Sequence, residues 1–306
     1  MKFFWLFLKG IGMGAANVIP GVSGGTIALI SGIFERLIKA LKSFDQKAVV
    51  LLFSGKFKSL AAHIDFSFLL AVGAGVVISV LSLATLLSWL FNNYPTYLWS
   101  FFFGLIAASV YFVSRQINGF KVKNIVSGLL GAGIAITIAF LTPAAENSHT
   151  VYLFLCGVVA ICSMILPGLS GSFVLIIMGN YLLLLNAVSE LQFDILWPVL
   201  AGCIIGLLAF SHVLSWVFDH YRNITLSLLA GFIVGSLVIL WPWKDAVYLL
   251  DKSGQPILHH ATKITSGYAY HWPGLNLELL LAICFASIGA AMMVLLERSA
   301  KQHVAE

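Results

Sequence analysis

The chain has 306 residues, of which 60% are apolar and only 9% charged. Soluble domains carry roughly 25% charged residues, so this composition excludes a water-covered globule and sets most of the surface against lipid. The net charge of +5 does not point to nucleic acid, because the basic residues cluster in the short connections between apolar runs.

In chain order, Lys2 and the apolar run Phe3 to Leu8 look like the start of a secretory signal. Lys9 interrupts the run, and the Ala15-Ala16 region offers no convincing cleavage site. A retained helix is expected there, opening a helical hairpin over 3–42 that is broken near its middle by Pro20 and Gly21. A basic loop follows over 35–65. Crossing a bilayer takes ~20 apolar residues, and three spans are expected at 66–91, 96–114 and 124–142. A second broken hairpin covers 151–188, followed by spans at 195–218, 224–241 and 277–297, with an outer loop at 243–275. The fold class is an all-α polytopic membrane protein. Cys156, Cys162, Cys203 and Cys284 lie in apolar runs without disulfide or zinc spacing, so no metal or cofactor is expected.

Cytoplasmic loops are enriched in Lys and Arg. If the N-terminus is inside and each hairpin returns to its starting side, 14 of the 17 basic residues fall inside and only Lys244, Lys252 and Lys263 outside. Both termini then come out cytoplasmic. Trp241, Trp243 and Trp272 flank spans on the outer side, where interfacial tryptophans belong.

The chain repeats itself. Pro20-Gly21-Val22-Ser23-Gly24-Gly25 recurs as Pro167-Gly168-Leu169-Ser170-Gly171-Ser172, an offset of 147 shared by Gly32 and Gly179. Ser88 to Tyr94 recurs as Ser215 to Tyr221 at an offset of 127, kept by Gly75/Gly202 and Gly104/Gly231. Each half, 1–145 and 146–306, reads as a hairpin and three spans. An odd number of crossings inverts the second half, the build of many secondary transporters.

Proline and glycine end a helix at each break. Irregular backbone at membrane depth is tolerated only inside protein or beside a water-filled cavity. A new helix starting near Gly24–Thr26, and another near Gly171, would aim unpaired N–H groups and the positive dipole end at the break, suiting a phosphate or carboxylate. Ser23, Thr26, Ser170 and Ser172 add hydroxyls. The candidate phosphate-binding residues are therefore Asn17, Pro20, Gly21, Ser23, Gly24, Gly25 and Thr26, with Pro167, Gly168, Ser170, Gly171 and Ser172. Arg36 is a candidate for drawing in an anionic head group, and His212, inside a span, for proton coupling.

The run Asn17 to Thr26, with its second copy at Pro167 to Ser172, resembles the PopT family of bacterial polyprenyl-phosphate transporters, and the resemblance runs nearly end to end. It implies movement of undecaprenyl phosphate, the recycled carrier lipid of cell-wall synthesis, across the plasma membrane. A polyprenyl-phosphate lipid is then the expected partner. Undecaprenyl-pyrophosphate phosphatases are a rival likeness, with a Pro-Gly-x-Ser-Arg-Ser motif and a Glu-x-x-x-Glu pair. Here Gly24 and Gly171 stand at the Arg position, and no span holds such a pair. That favours carrying a phosphate over cleaving it, so no catalytic residue is expected. An intramembrane phosphatase and a transporter of a small soluble anion are the alternatives.

Overall fold

The computed structural model describes residues 2–18, 23–119, 121–248, 255, 258–259, 262–263 and 265–302. Helix α1 (Lys2–Val18) is followed by α2 (Gly24–Ile30) and α3 (Phe34–Lys42). The bend between α2 and α3 passes through Gly32 at φ 73°, a left-handed conformation open to glycine at little cost. The expected loop over 35–65 is instead mostly helical, with α4 (Gln46–Phe53) and α5 (Phe57–His63) after α3. Asp45 supplies the missing stop and start. Its carboxylate caps α4 by accepting from the Ala48 N–H at 3.0 Å and meets His63 at 3.0 Å.

Helices α6 (Phe66–Asn93), α7 (Pro95–Ser114) and α8 (Val122–Ala139) complete the first half. Helix α8 stops three residues short of the expected 142, since Thr142 precedes Pro143 and a residue before proline disfavours helix. The second half repeats the order with α9 (Thr150–Ile165), α10 (Gly171–Ile177), a bend at Gly179 (φ 75°) and α11 (Tyr181–Ser189). The spans expected at 195–218 and 224–241 are two helical stretches on either side of a break at Tyr221, with φ −132° and ψ 41°, together labelled α12 (Phe193–Ser236). At 1.5 Å per residue their 44 residues make about 66 Å of helix, enough for two crossings of a bilayer core. Tyr94, its repeat partner between α6 and α7, has φ −139° and ψ 49°, so the two turns share one backbone shape.

The segment expected as an outer loop departs from all-α. Strands β1 (Lys244–Tyr248), β2 (Leu258–His259), β3 (Thr262–Lys263) and β4 (Thr265–Tyr270) precede the last helix, α13 (Leu277–Gln302), and pair antiparallel as β1 with β4 and β2 with β3. Lys244 pins this hairpin down. Its ammonium donates to the Ile239 carbonyl and lies 3.4 Å from the Trp99 ring centre and 4.1 Å from that of Tyr268. Burial pushes its pKa well below the ordinary lysine value.

Among the described residues, α6, α7, α8, α12 and α13 are long and apolar enough to cross a membrane, and α10 with α11, bent by 113°, form a sixth candidate. Small residues let the long helices touch backbone to backbone, as in other membrane bundles. The contacts recur between the halves. A side chain on Gly10 would press into the Val72 carbonyl, and one on Gly157 into that of Val199. Gly75 faces the Phe7 carbonyl, and Gly202 that of Phe154. The same holds for Gly289 against Phe101 and Gly131 against Leu228. Thus α1 lies on α6 as α9 lies on α12, and α7 meets α13 as the later part of α12 meets α8. Leu226, Leu229, Ile233 and Leu240 of the central layer are fully buried.

Candidate anion site at the paired helix breaks

The two breaks touch. The Ser23 hydroxyl donates to the Met164 carbonyl at 3.1 Å, and the Gly168 N–H donates to the Thr26 hydroxyl oxygen at 2.9 Å. Gly25 lies against the Ile165 carbonyl, where any side chain would collide. Gly168, at φ 82°, passes equally close to the Phe232 carbonyl in the later part of α12. The site is thus assembled from the end of α1, the start of α2, the end of α9, the second break and α12. Pro20 and Gly21 lie outside the described residues.

The first break is closed on itself. Ser23 caps α2 by accepting from the Gly25 N–H at 3.1 Å, and the Asn17 side-chain carbonyl accepts from the Gly24 N–H at 2.8 Å. The Thr26 N–H turns back to the Ser23 carbonyl at 2.9 Å. The first N–H groups of α2 are therefore satisfied within the protein, and Ser23 and Thr26 are buried. Both hydroxyls are engaged in clamping one break to the other.

The second break is more open. Ser170 makes no capping bond to α10. Its hydroxyl lies 2.9 Å from that of Ser172, and Ser170 is half-buried while Ser172 is exposed. The start of α10, with Gly171 beneath it, keeps orphan N–H groups beside two adjacent hydroxyls, a donor set suited to phosphate oxygens.

Arg36 is not brought to the breaks. Its guanidinium donates twice to Asp65, at 2.7 and 3.1 Å, and lies 4.4 Å from the Phe68 ring centre. Its neighbour Glu35 accepts from Arg222 at 2.6 Å, tying α3 to α12. His212 is exposed on α12 and bonds the Leu208 carbonyl of its own helix at 2.8 Å. Met164, Ile165 and Phe232 contribute backbone carbonyls, which leave no mark in a sequence. The Glu35–Arg222 pair had only the equal and opposite charges of its members as a signal.

No group of His, Cys, Asp or Glu among the described residues could hold a metal ion. A family model described as undecaprenyl phosphate translocase-like matches residues 13–257. A polyprenyl-phosphate transporter of Vibrio cholerae is 41% identical over 258 residues, covering 84% of this chain and 84% of the relative. One of Staphylococcus aureus is 31% identical over 260 residues, covering 79% of this chain and 87% of the relative. No solved structure matches. With its apolar helices and these relatives, this is a multi-pass membrane protein, and the chain belongs to the undecaprenyl phosphate translocase-like family.

Proposed function

We propose that the chain is a flippase that carries undecaprenyl phosphate across the bacterial plasma membrane for reuse of the carrier lipid, with the phosphate held at the paired helix breaks. The observation that carries this reading is the contact of the breaks through Ser23–Met164 and Thr26–Gly168, beside the uncapped start of α10. Moving a bare phosphate through hydrocarbon is very costly, and a path of hydroxyls and backbone donors lowers that cost while the prenyl tail stays in lipid. The relatives' names supply the lipid class.

The halves are inverted repeats, 1–145 and 146–306, in this reading. The recurring glycine contacts and the matching turns at Tyr94 and Tyr221 support the repeat. The hairpins are re-entrant: the Tyr152 hydroxyl, early in α9, donates to the Met178 carbonyl after α10 at 2.8 Å, consistent with a chain folding back to its starting end. Both termini lie in the cytoplasm, on the side that gathers Lys and Arg. Rocking of the halves about the breaks would expose the phosphate to each side in turn. Transport rather than hydrolysis follows from Gly24 and Gly171 standing where the phosphatase motif has Arg, since phosphoryl transfer needs charge stabilisation at the reacting group.

The test is reconstitution. Vesicles holding the purified protein and undecaprenyl phosphate on one leaflet should equilibrate the lipid between leaflets faster than protein-free vesicles and release no inorganic phosphate. An unchanged equilibration rate, or phosphate release from undecaprenyl pyrophosphate, would sink the reading.

A further inference from the structure

A second constellation lies away from the breaks, on the face bearing Lys121, Lys123 and Arg222. A polar cavity of about 280 Å³ opens there between the start of α8 and the Tyr221 turn of α12, walled by Lys121, Lys123, Asn124, Asp219, His220 and Arg222 among others. Beside it runs an apolar groove of about 240 Å³ between α7, α8 and α12, with Val110, Ile117, Leu129, Ala132 and Val234 on its sides. Asn124 belongs to both walls. A polar mouth that continues into an apolar groove has the form of a lipid, head group first and chain behind.

The charge of the mouth comes down to two residues. Arg222 is taken up by Glu35 at 2.6 Å, and Asp219 brings a carboxylate to the same wall. The ring of His220 bonds the Trp216 carbonyl at 2.9 Å. Lys121 and Lys123 are exposed and, among the described residues, neither makes an ion pair. Lys121 is also the N-cap of the 18-residue α8, and Lys121, Lys123 and Asn124 at that end line the cavity, so the positive end of the helix faces it.

Asn124 gives an independent sign. The residue is 4% exposed, and its amide N–H donates to the Gly119 carbonyl at 2.8 Å, yet its side-chain carbonyl oxygen has no partner among the described residues. A buried acceptor left bare is costly. A donor from outside the protein, at the junction of mouth and groove, would satisfy it.

We propose that this is a binding site for a membrane lipid whose phosphate head group carries a net negative charge. Lys121 and Lys123 hold the phosphate, the groove takes the first stretch of chain, and a protonated phosphate oxygen or a head-group hydroxyl donates to Asn124. It shares no side chain with the paired breaks and stands or falls independently of them. Both a polyprenyl phosphate and an anionic phospholipid carry this chemistry.

Native mass spectrometry of the purified protein tests it, with undecaprenyl phosphate, phosphatidylglycerol and zwitterionic phosphatidylethanolamine as probes. Each lysine removed from a lipid-facing basic patch weakens binding roughly fivefold. Lys121→Gln/Lys123→Gln should therefore lose retention of an anionic lipid by more than tenfold, and Ala132→Phe, which fills the groove, should lower it too. Retention of phosphatidylethanolamine should hold, as should all retention in the control pair Lys56→Gln/Lys58→Gln at the start of α5. The anionic lipid that wild type keeps better, and that the double variant loses, identifies the occupant. Wild-type retention of both anionic lipids by Lys121→Gln/Lys123→Gln, or an equal loss in the control pair, would overturn the proposal. Those lysines are on the surface, so the variant keeps its fold even if Ala132→Phe does not.

Discussion

In the first hairpin the Ser31 carbonyl, just past α2, accepts from the Lys9 ammonium at 2.8 Å. In the second, the Met178 carbonyl at the matching position accepts from the Tyr152 hydroxyl at 2.8 Å. The backbones agree closely, with Gly32 at φ 73° and Gly179 at φ 75°, while the side chains that secure them do not. The difference continues along the arms. Helix α3 is held to α12 by Glu35–Arg222, by Lys42 donating to the Ser215 hydroxyl at 3.3 Å, and by Phe34 against Phe218 at 5.8 Å. The matching positions on α11 are Tyr181, Leu182 and Ser189, and no ion pair ties that arm down among the described residues. Phe91, the counterpart of Phe218, packs on Trp99 at 5.0 Å instead. One backbone plan therefore carries one arm stapled by an ion pair and another that, among the described residues, has none.

The breaks divide the same way, the first a clamp and the second a donor-rich opening, and substitutions can separate the two. The largest effect is expected at Gly25, where a valine must displace the Ile165 carbonyl. Overpacking typically costs about 1–3 kcal/mol, and rigid backbone on both sides puts Gly25→Val at or beyond the top of that range. Thermal unfolding should show a large drop. Gly133→Ala on α8, with nothing within 4 Å of the new methyl, should be neutral or gain up to about 1 kcal/mol in helix propensity. Equal melting of the two variants would break the clamp.

Next comes Thr26→Val, which leaves the buried Gly168 N–H without its acceptor, at a cost of about 1–3 kcal/mol. Thr26→Ser keeps the oxygen and should recover most of that in the same melt. Ser23→Ala removes both the cap on Gly25 and the bond to Met164 and should cost about 1–2 kcal/mol. Ser170→Ala, at a serine that caps nothing, should barely move the melting temperature. The smallest expected effect is at the staple. Glu35 and Arg222 are 38% and 48% exposed, so a double-mutant cycle with Glu35→Gln and Arg222→Gln should read a coupling below about 1 kcal/mol. A coupling of several kcal/mol would mean that the arm is locked rather than held.

Much of this was legible in the sequence because membrane depth restricts the choices. Apolar length sets the spans, as the 66–91 expectation and the observed Phe66–Asn93 show, and proline with glycine marks the breaks. The glycine spacing that encodes the repeat also encodes the packing, since Gly75 and Gly202 face matching carbonyls. Less was legible where backbone or water-facing chemistry decides. The lysines of α4 and α5 hide those helices, and the strand pair β1 and β4 falls in a segment expected only as a loop. Ser23 and Thr26 are legible as residues of the first break from the proline and glycines around them. Their bonding to Met164 and Gly168 could not be foreseen, because a carbonyl or an N–H belongs to every residue and distinguishes none. Arg36 and His212 were singled out for being charged or titratable in an apolar chain, and the structure spends them on Asp65 and Leu208.

In the proposed function the second break offers the donors and the first holds it in place. Direct binding of undecaprenyl phosphate to purified protein tests it most squarely, comparing wild type with Ser170→Ala/Ser172→Ala at matched melting temperature. Hydrogen bonds to a charged group are worth about 1.5–3 kcal/mol each, so affinity should fall about tenfold or more while stability is unchanged. Undiminished affinity in that variant, with the loss appearing instead only in proportion to unfolding in Ser23→Ala, would contradict the account.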